Sequence, residues 1–353
     1  MAYISFQPSD HFNTVTYTGD GTAIGSGGQS ITGVGFQPDW VWTKARSQTH
    51  SHTLYDSSRG VQKPLVSNST ASESTETEGL NSFDSDGFTT GNKVNSGQSG
   101  TTYASWHWKA NGGTTSSNTD GSITSTVQAN TTAGFSIVTY TSASGTQTVG
   151  HGLGVAPNVY MIKERSTSGD DWFVYHSSLG AGYKLRLSGT GASASDTSIW
   201  NNTEPTSSVF SLGNDQGGVN QYTSGTQNYV AYCFAEKRGF SKFGRYTGNG
   251  SSDGTFVYTG FKPALVIIRP NAVFNWLMLD NKRDTINPRD SYLYPNTNNA
   301  EASDASYYID YLSNGFKFRG TQVNANQNGT VYYYMAFAKH PFVASTGLPT
   351  TAE

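Results

Sequence analysis

Gly35-Phe36-Gln37-Pro38-Asp39-Trp40-Val41-Trp42 recurs twice along the chain, as Gly154-Val155-Ala156-Pro157-Asn158-Val159-Tyr160-Met161-Ile162 and Gly260-Phe261-Lys262-Pro263-Ala264-Leu265-Val266-Ile267-Ile268. Each copy is a Gly-x-x-Pro element followed by residues that are apolar at successive positions. A strand apolar on both faces is one buried between two layers.

Working outward, the same flanks recur in order. An opening strand precedes each element: Val15-Thr16-Tyr17-Thr18, Ile137-Val138-Thr139-Tyr140-Thr141 and Phe243-Gly244-Arg245-Tyr246-Thr247. A second short strand follows: Leu54-Tyr55-Asp56, Val174-Tyr175-His176 and Met278-Leu279-Asp280. Each unit closes on an aromatic strand that alternates. One face carries Ala104, Trp106 and Trp108 in the first copy, Val230, Tyr232 and Phe234 in the second, and Tyr333, Met335 and Phe337 in the third. A face kept in three copies is a core face. The repeat of about 100 residues matches an antiparallel sandwich.

The expected fold class is therefore all-β, with three tandem related antiparallel β-sandwich repeats of jelly-roll or lectin-like type. They fall at residues 1–110, 135–238 and 239–341. A polar linker or long loop is expected at 111–134, and a polar tail at 342–353. The nearest approach to a helical pattern is Ala300 to Leu312.

Composition narrows the function. Charged residues are 13 %, about half the roughly 25 % of an average soluble protein. A net charge of −3 with few Lys and Arg gives no electrostatic footprint for nucleic acid. No apolar run approaches the roughly 20 residues that span a bilayer as a helix. The start, Met1-Ala-Tyr-Ile-Ser-Phe-Gln-Pro, lacks the basic and apolar regions of a secretion signal. A single cysteine, Cys233, excludes intrachain disulfides and multi-cysteine metal sites. With 7 Trp, 21 Tyr and 18 Phe, the cores are expected to be rich in rings.

Candidate chemistry is sparse. Cys233 aligns with His107 and Ala336, which reads as a small buried filler. His176 aligns with Asp56 and Asp280 at a polar strand end. His50 and His52 lie at i and i+2, a spacing that could share a metal, but no third ligand is evident and no metal or other cofactor is expected. Glu73, Glu76 and Glu78 form a loose acidic cluster, read as loop decoration rather than a catalytic pair. Asp84-Ser85-Asp86-Gly87 reads as hairpin-turn chemistry rather than a calcium loop. The remaining signal is aromatic: Trp200, and Tyr222 beside Asn220, Gln221 and Ser224, could stack on and hydrogen-bond to a glycan.

At these residues the chain resembles a repeat protein common in marine tailed phages and prophages. The motifs that carry the likeness are Tyr3-Ile-Ser-Phe-Gln-Pro, Gly33-Val-Gly-Phe-Gln-Pro-Asp-Trp-Val-Trp, Leu54-Tyr-Asp-Ser-Ser-Arg-Gly60, Phe240-Ser-Lys-Phe-Gly244, Tyr258-Thr-Gly-Phe261 and Asp280-Asn-Lys-Arg-Asp284. The resemblance implies a non-enzymatic virion structural protein, of tail-fibre or lectin-like type, assembled in the host cytoplasm. It implies other virion proteins as partners. Host surface glycan is the expected ligand and a homo-oligomer the expected state, a trimer being favoured, with a pseudo-threefold formed by the three units of one chain as the alternative. A ligand-free capsid decoration protein and a polysaccharide depolymerase are the alternatives.

Overall fold

The computed structural model describes residues 6–222 and 225–341; the polar tail expected at 342–353 and the opening Tyr3 motif lie outside the described residues. The chain is all-β, with several antiparallel sheets. The helical elements among the described residues are three 3-10 turns of three residues each.

Three large sheets share one strand order. In the first, Phe12–Thr18 pairs with Thr102–Trp108, which pairs with Trp40–Ala45, then Thr53–Asp56 and Gly60–Val66. In the second, the order is Phe135–Thr141, Asn228–Phe234, Val159–Glu164, Phe173–His176, Tyr183–Arg186. In the third, it is Ser241–Thr247, Val331–Pro341, Phe261–Pro270, Leu277–Asp280. Each opening strand thus lies beside its own closing strand. The glycine before each proline has positive φ, at 85° for Gly35, 71° for Gly154 and 81° for Gly260. That backbone state is cheap for glycine, so the turn into the central strand is fixed locally. Pro263 lies within its strand, at a register shift, where the ladder does not need its missing N–H.

The central strand of each large sheet is buried on both faces. On the outer face lies a smaller sheet. The first is Gln29–Ile31, Gly87–Thr90 and Leu80–Asp84; the second Gln147–Gly150 and Val209–Leu212; the third Phe256–Tyr258, Gly315–Phe318 and Ile309–Leu312. Val41, Tyr160 and Val266 point to these outer cores. A tyrosine pair stacks under each: Tyr17 on Tyr103, Tyr140 on Tyr229 and Tyr246 on Tyr332, with centroids 5.1, 5.1 and 4.9 Å apart. Their hydroxyls bond loop backbone. Tyr17, Tyr140 and Tyr246 donate to the carbonyls of Ser96, Val219 and Ala325. Tyr103, Tyr229 and Tyr332 accept from the N–H groups of Gln98, Gln221 and Gln327.

The inner faces of the three large sheets meet in one core. It contains Trp40, Trp42, Trp106 and Trp108 from the first, Phe135, Met161, Tyr232 and Phe234 from the second, and Phe243, Leu265, Met335 and Phe337 from the third. Trp108, Phe234 and Phe337 hold the same register position in their sheets, opposite Trp40, Val159 and Leu265. Their rings form a triangle with sides of 6.3, 5.5 and 5.7 Å. Matching register positions of the three sheets therefore meet at one point.

Two expectations need correction. The region 111–134 is not a linker: Ser116–Asn118 and Ser125–Asn130 extend the second sheet beyond Phe135–Thr141. Val127 and Gln128 are buried there, and the Gln128 carboxamide accepts from the N–H groups of Asn111 and Gly113. The stretch Ala300 to Leu312 forms no helix beyond the 3-10 turn Ala305–Tyr307; Ile309–Leu312 is a strand whose Ile309 and Tyr311 face the third outer core.

The shared core makes a prediction. Phe337→Ala should cost about 3–5 kcal/mol, as for other buried Phe truncations. Calorimetry should show a single transition moved down, because the three segments unfold together. A separate low-temperature transition in the variant, with the rest unmoved, would contradict the common core.

Candidate functional site

The polar chemistry of the molecule gathers where the three sheets join. Between the first and second sheets, the turn after Thr53–Asp56 folds Arg59 back onto Asp56, with Nε 2.5 Å from the carboxylate and both side chains fully buried. Arg59 also reaches Glu73 at 2.8 Å, and Glu73 takes Arg165 of the second sheet at 2.9 Å. The Tyr232 hydroxyl donates to Asp56 at 2.6 Å. Burial alone would raise the Glu73 pKa; the Arg165 and Arg59 guanidiniums outweigh it and hold the carboxyl below its usual range. A carboxylate so held has no proton to donate at neutral pH and little basicity.

The joint between the third and first sheets repeats this device. Arg283 lies 2.5 Å from Asp280 and 2.9 Å from Glu301, and Glu301 takes Arg46 of the first sheet at 2.7 Å. Trp106 Nε1 donates to Asp280 at 3.1 Å, in the place of the Tyr232 hydroxyl. Burial disfavours the charge on Asp280, but Arg283 prevails and its pKa is lowered. Between the second and third sheets the described residues show no such buried chain; Glu236 pairs with Lys242 at 2.6 Å, both partly exposed. His176 stands at the Asp56 position and its Nε2 meets the Tyr334 carbonyl at 3.3 Å. The Ser193 hydroxyl donates to Asn271 at 2.5 Å, and Arg269 donates to the Gly191 carbonyl.

One interaction is common to all three joints. Trp172 Nε1 donates to the Val66 carbonyl at 2.9 Å, Trp276 Nε1 to the Arg186 carbonyl at 2.8 Å, and His52 Nε2 to the Tyr294 carbonyl at 3.1 Å. Each donor lies two residues before Val174, Met278 or Leu54. Each acceptor follows the residue facing one of these: Leu65, Leu185 or Leu293. The second sheet thus holds the first, the third holds the second, and the first holds the third. Trp42 donates to His52 Nδ1 at 2.9 Å, which places the imidazole proton on Nε2.

The sequence candidates fall into this framework. Trp200 is fully buried in the second outer core, its Nε1 donating to the Tyr183 carbonyl at 2.9 Å; it offers no face to a sugar, which corrects its reading as an exposed platform. Asn220 is also buried. It donates to the Gly145 and Gly213 carbonyls and accepts from Ala143 N–H. Asn326 makes the matching bonds in the third segment, to Ser251, Gly320 and Asn249, so Asn220 is a loop staple and not a ligand residue. Tyr222 is half-buried with its hydroxyl 3.2 Å from Asn214; Ser224 lies outside the described residues.

The acidic cluster is not loose decoration. Glu73 is paired as above, Glu76 pairs with Lys93, and Glu78 accepts from Ile24 N–H at 2.9 Å. His50 contacts Gln98, whereas both nitrogens of His52 are engaged in the joint. Cys233 is buried opposite Tyr160 and Ser136, and burial pushes its thiol pKa up, which suppresses the nucleophilic thiolate. Asp86 caps the turn before Pro38, accepting from Gly33 and Gly35 N–H. Two of the clefts among the described residues are small. One, of about 200 Å³, includes Phe12, Asn13, Asn281, Lys282 and His340 in its lining; the other, of about 150 Å³, includes Thr126, Thr139 and Arg165. Both are below the roughly 300 Å³ at which small-molecule pockets begin.

Sequence reasoning missed the joint residues Asp56, Arg59, Asp280, Arg283 and Glu301. The available signal was Asp-x-x-Arg, present in Asp56-Ser-Ser-Arg59 and again in Asp280-Asn-Lys-Arg283. Three apolar sheet faces closed on one aromatic centre, with the buried charges spent between sheets, define an all-β protein whose known polar sites are joints. A family model described as a domain of unknown function, DUF7483, matches residues 7–341, and the chain belongs to that family. No curated protein matches it.

Two predictions follow from the joints. Arg283→Met leaves Asp280 buried and unpaired, and should cost about 3–5 kcal/mol in denaturant unfolding. Arg46→Met removes a partly exposed partner and should cost under about 1 kcal/mol; equal losses would contradict the distinction. The second concerns acid. Burial lowers the pKa of His52 far below 6.5, that of His107 to about 3 and that of His176 to about 4. The unfolded chain binds these protons from about pH 6.5 downward while the folded chain refuses them, so stability falls as pH drops. Each histidine contributes a slope of up to about 1.4 kcal/mol per pH unit. Melting midpoints should decline steadily from pH 6.5 to 4; a flat profile over that range would refute the neutral, buried assignment.

Proposed function

We propose that the chain is a non-enzymatic structural protein of a phage particle, displayed on its surface as a fibre element or capsid protrusion and contacting host surface glycans. The observation that carries this reading is where the buried ionisable groups go. Asp56, Arg59 and Glu73 bind one another within the first segment, and Asp280, Arg283 and Glu301 within the third; Glu73 then takes Arg165, and Glu301 takes Arg46, across a sheet joint, an investment in shape rather than in turnover. The likeness of Leu54 to Gly60 and of Asp280 to Asp284 to the marine phage repeat protein supports the placement on a virion, and the same residues form the ionic joints.

In this reading the three segments are copies of one β-sandwich, of jelly-roll or lectin-like type, each a large sheet covered by a small one. The threefold body is then supplied within one chain, and a trimer of chains is not needed to make it. A stiff particle component of this kind needs no disulfide, which accords with the single, buried cysteine. Its partners would be other virion proteins.

Immunogold electron microscopy of intact particles tests the assignment. Label at tail or fibre tips, or over capsid protrusions, is the expected result, and an even coat over the capsid would mark a decoration protein. Particles without label would overturn the virion reading. Release of reducing ends from host capsule by the purified protein would overturn the non-enzymatic one.

A further inference from the structure

The outer sheet of the third segment carries a feature that the other two lack. In its edge strand Phe256–Tyr258, Val257 points to the core while Phe256 and Tyr258 are 42 % and 57 % exposed. Val257 faces Phe316 across the pair, as Ile31 faces Phe88 and Val149 faces Phe210 in the other outer sheets. The positions that flank it are Ser30 and Thr32 in the first segment, and Thr148 and Gly150 in the second. Polar or small residues therefore satisfy the fold at these places, and the two rings are not required by it.

The rings stand on one face, alternate residues of a strand being about 6.7 Å apart. Gly315 lies opposite Tyr258. A Cβ there would stand 2.1 Å from the Val257 carbonyl and 3.1 Å from the Phe256 ring, the backbone approach being shared with Gly87 beside Ile31 in the first segment. Beside the rings are two cations and two carboxylates. Lys317, opposite Phe256, reaches Asp253 at 2.6 Å, and Arg319 reaches Asp310 at 2.6 Å. These charges balance, which favours a neutral, hydroxyl-rich ligand over an ionic one. The exposed ring area is on the order of 200 Å², far below the roughly 800 Å² per partner of a stable protein interface.

We propose that Phe256 and Tyr258 form a platform for a neutral pyranose oligosaccharide. The apolar C–H faces of the sugar stack on the two rings, and its hydroxyls bond to Asp253, Asp310, Lys317 and Arg319. The proposal rests on the host-glycan part of the function proposed above and relocates the contact from Trp200, Asn220 and Tyr222 to the third segment.

The test is a printed array of neutral glycans, with titration of soluble cello- and xylo-oligosaccharides as probes. The protein is compared with a Phe256→Ser, Tyr258→Thr double variant, which carries the residues of the first segment. The expected result is binding by the parent protein and at least a tenfold loss in the variant at an unchanged melting midpoint. Saturation-transfer NMR on the parent protein, needing no variant, should place the sugar against Phe and Tyr ring protons. Equal binding by both proteins would overturn this platform and leave the host-glycan reading standing. Absence of any neutral-glycan binding by the parent would overturn the platform, while gold label on particles would still uphold the displayed-protein reading.

Discussion

The inner faces of three sheets have no cover except one another. Trp40, Trp42, Trp106 and Trp108 would otherwise present a large apolar surface to water, as would Phe234 with Tyr232 and Phe337 with Met335. The meeting of Trp108, Phe234 and Phe337 removes all three surfaces together. This explains a chain with so few charges and so many rings. A sheet sandwiched between an outer and an inner core exposes little of its own area, and its strands are apolar in both directions. The loops then carry the Ser, Thr, Asn and Gly that keep the surface wet.

Hydrophobic closure alone does not decide which edge meets which. The joints do. Every joint carries a ring N–H aimed at the same carbonyl position, an interaction that requires depth and register to be correct at once. Two joints add an Asp–Arg–Glu–Arg chain whose Asp and first Arg are fully buried and whose last Arg is partly exposed. Buried ion pairs contribute little net stability compared with apolar residues of similar size, and separating their members is costly. Their value here lies in matching: Glu73 and Glu301 must find Arg165 and Arg46, and at the joint with Ser193 and Asn271 the Arg269 guanidinium meets a carbonyl instead.

Much of the fold was legible in sequence because it is periodic. The alternation in Ala104-x-Trp106-x-Trp108 and its two counterparts gave the inner face, and the unbroken apolar runs after the prolines gave the central strands. The edge strand Ser116–Asn118 was missed because its Ser and Asn side chains bury little, and Ser125–Asn130 because its composition is that of a loop, although Ser125, Val127 and Gln128 are buried. Trp200 was misread because its sequence neighbours are polar, while its ring is enclosed by side chains distant in sequence: Tyr160 and Tyr175. Asn220 was readable after all. The dipeptide Asn220-Gln221 recurs as Asn326-Gln327, each ahead of a closing strand, and recurrence marks a structural part. The repeated Asp-x-x-Arg was readable, but its partners across the joints were out of reach because Arg46 and Glu301 are 255 residues apart in sequence.

That separation bears on how the molecule is made. On a ribosome the first sheet emerges with its tryptophan face complete but uncovered, and the second segment shields only part of it. The last wall arrives only with Val331–Pro341, long after Thr102–Trp108 has emerged. Nascent chains expose such surfaces for many seconds at ordinary elongation rates, and contacts this distant in sequence form slowly. The arrangement that gives the finished body its closed form therefore makes its precursor sticky. A cell producing many copies at once would have to keep unfinished chains apart until the third segment docks.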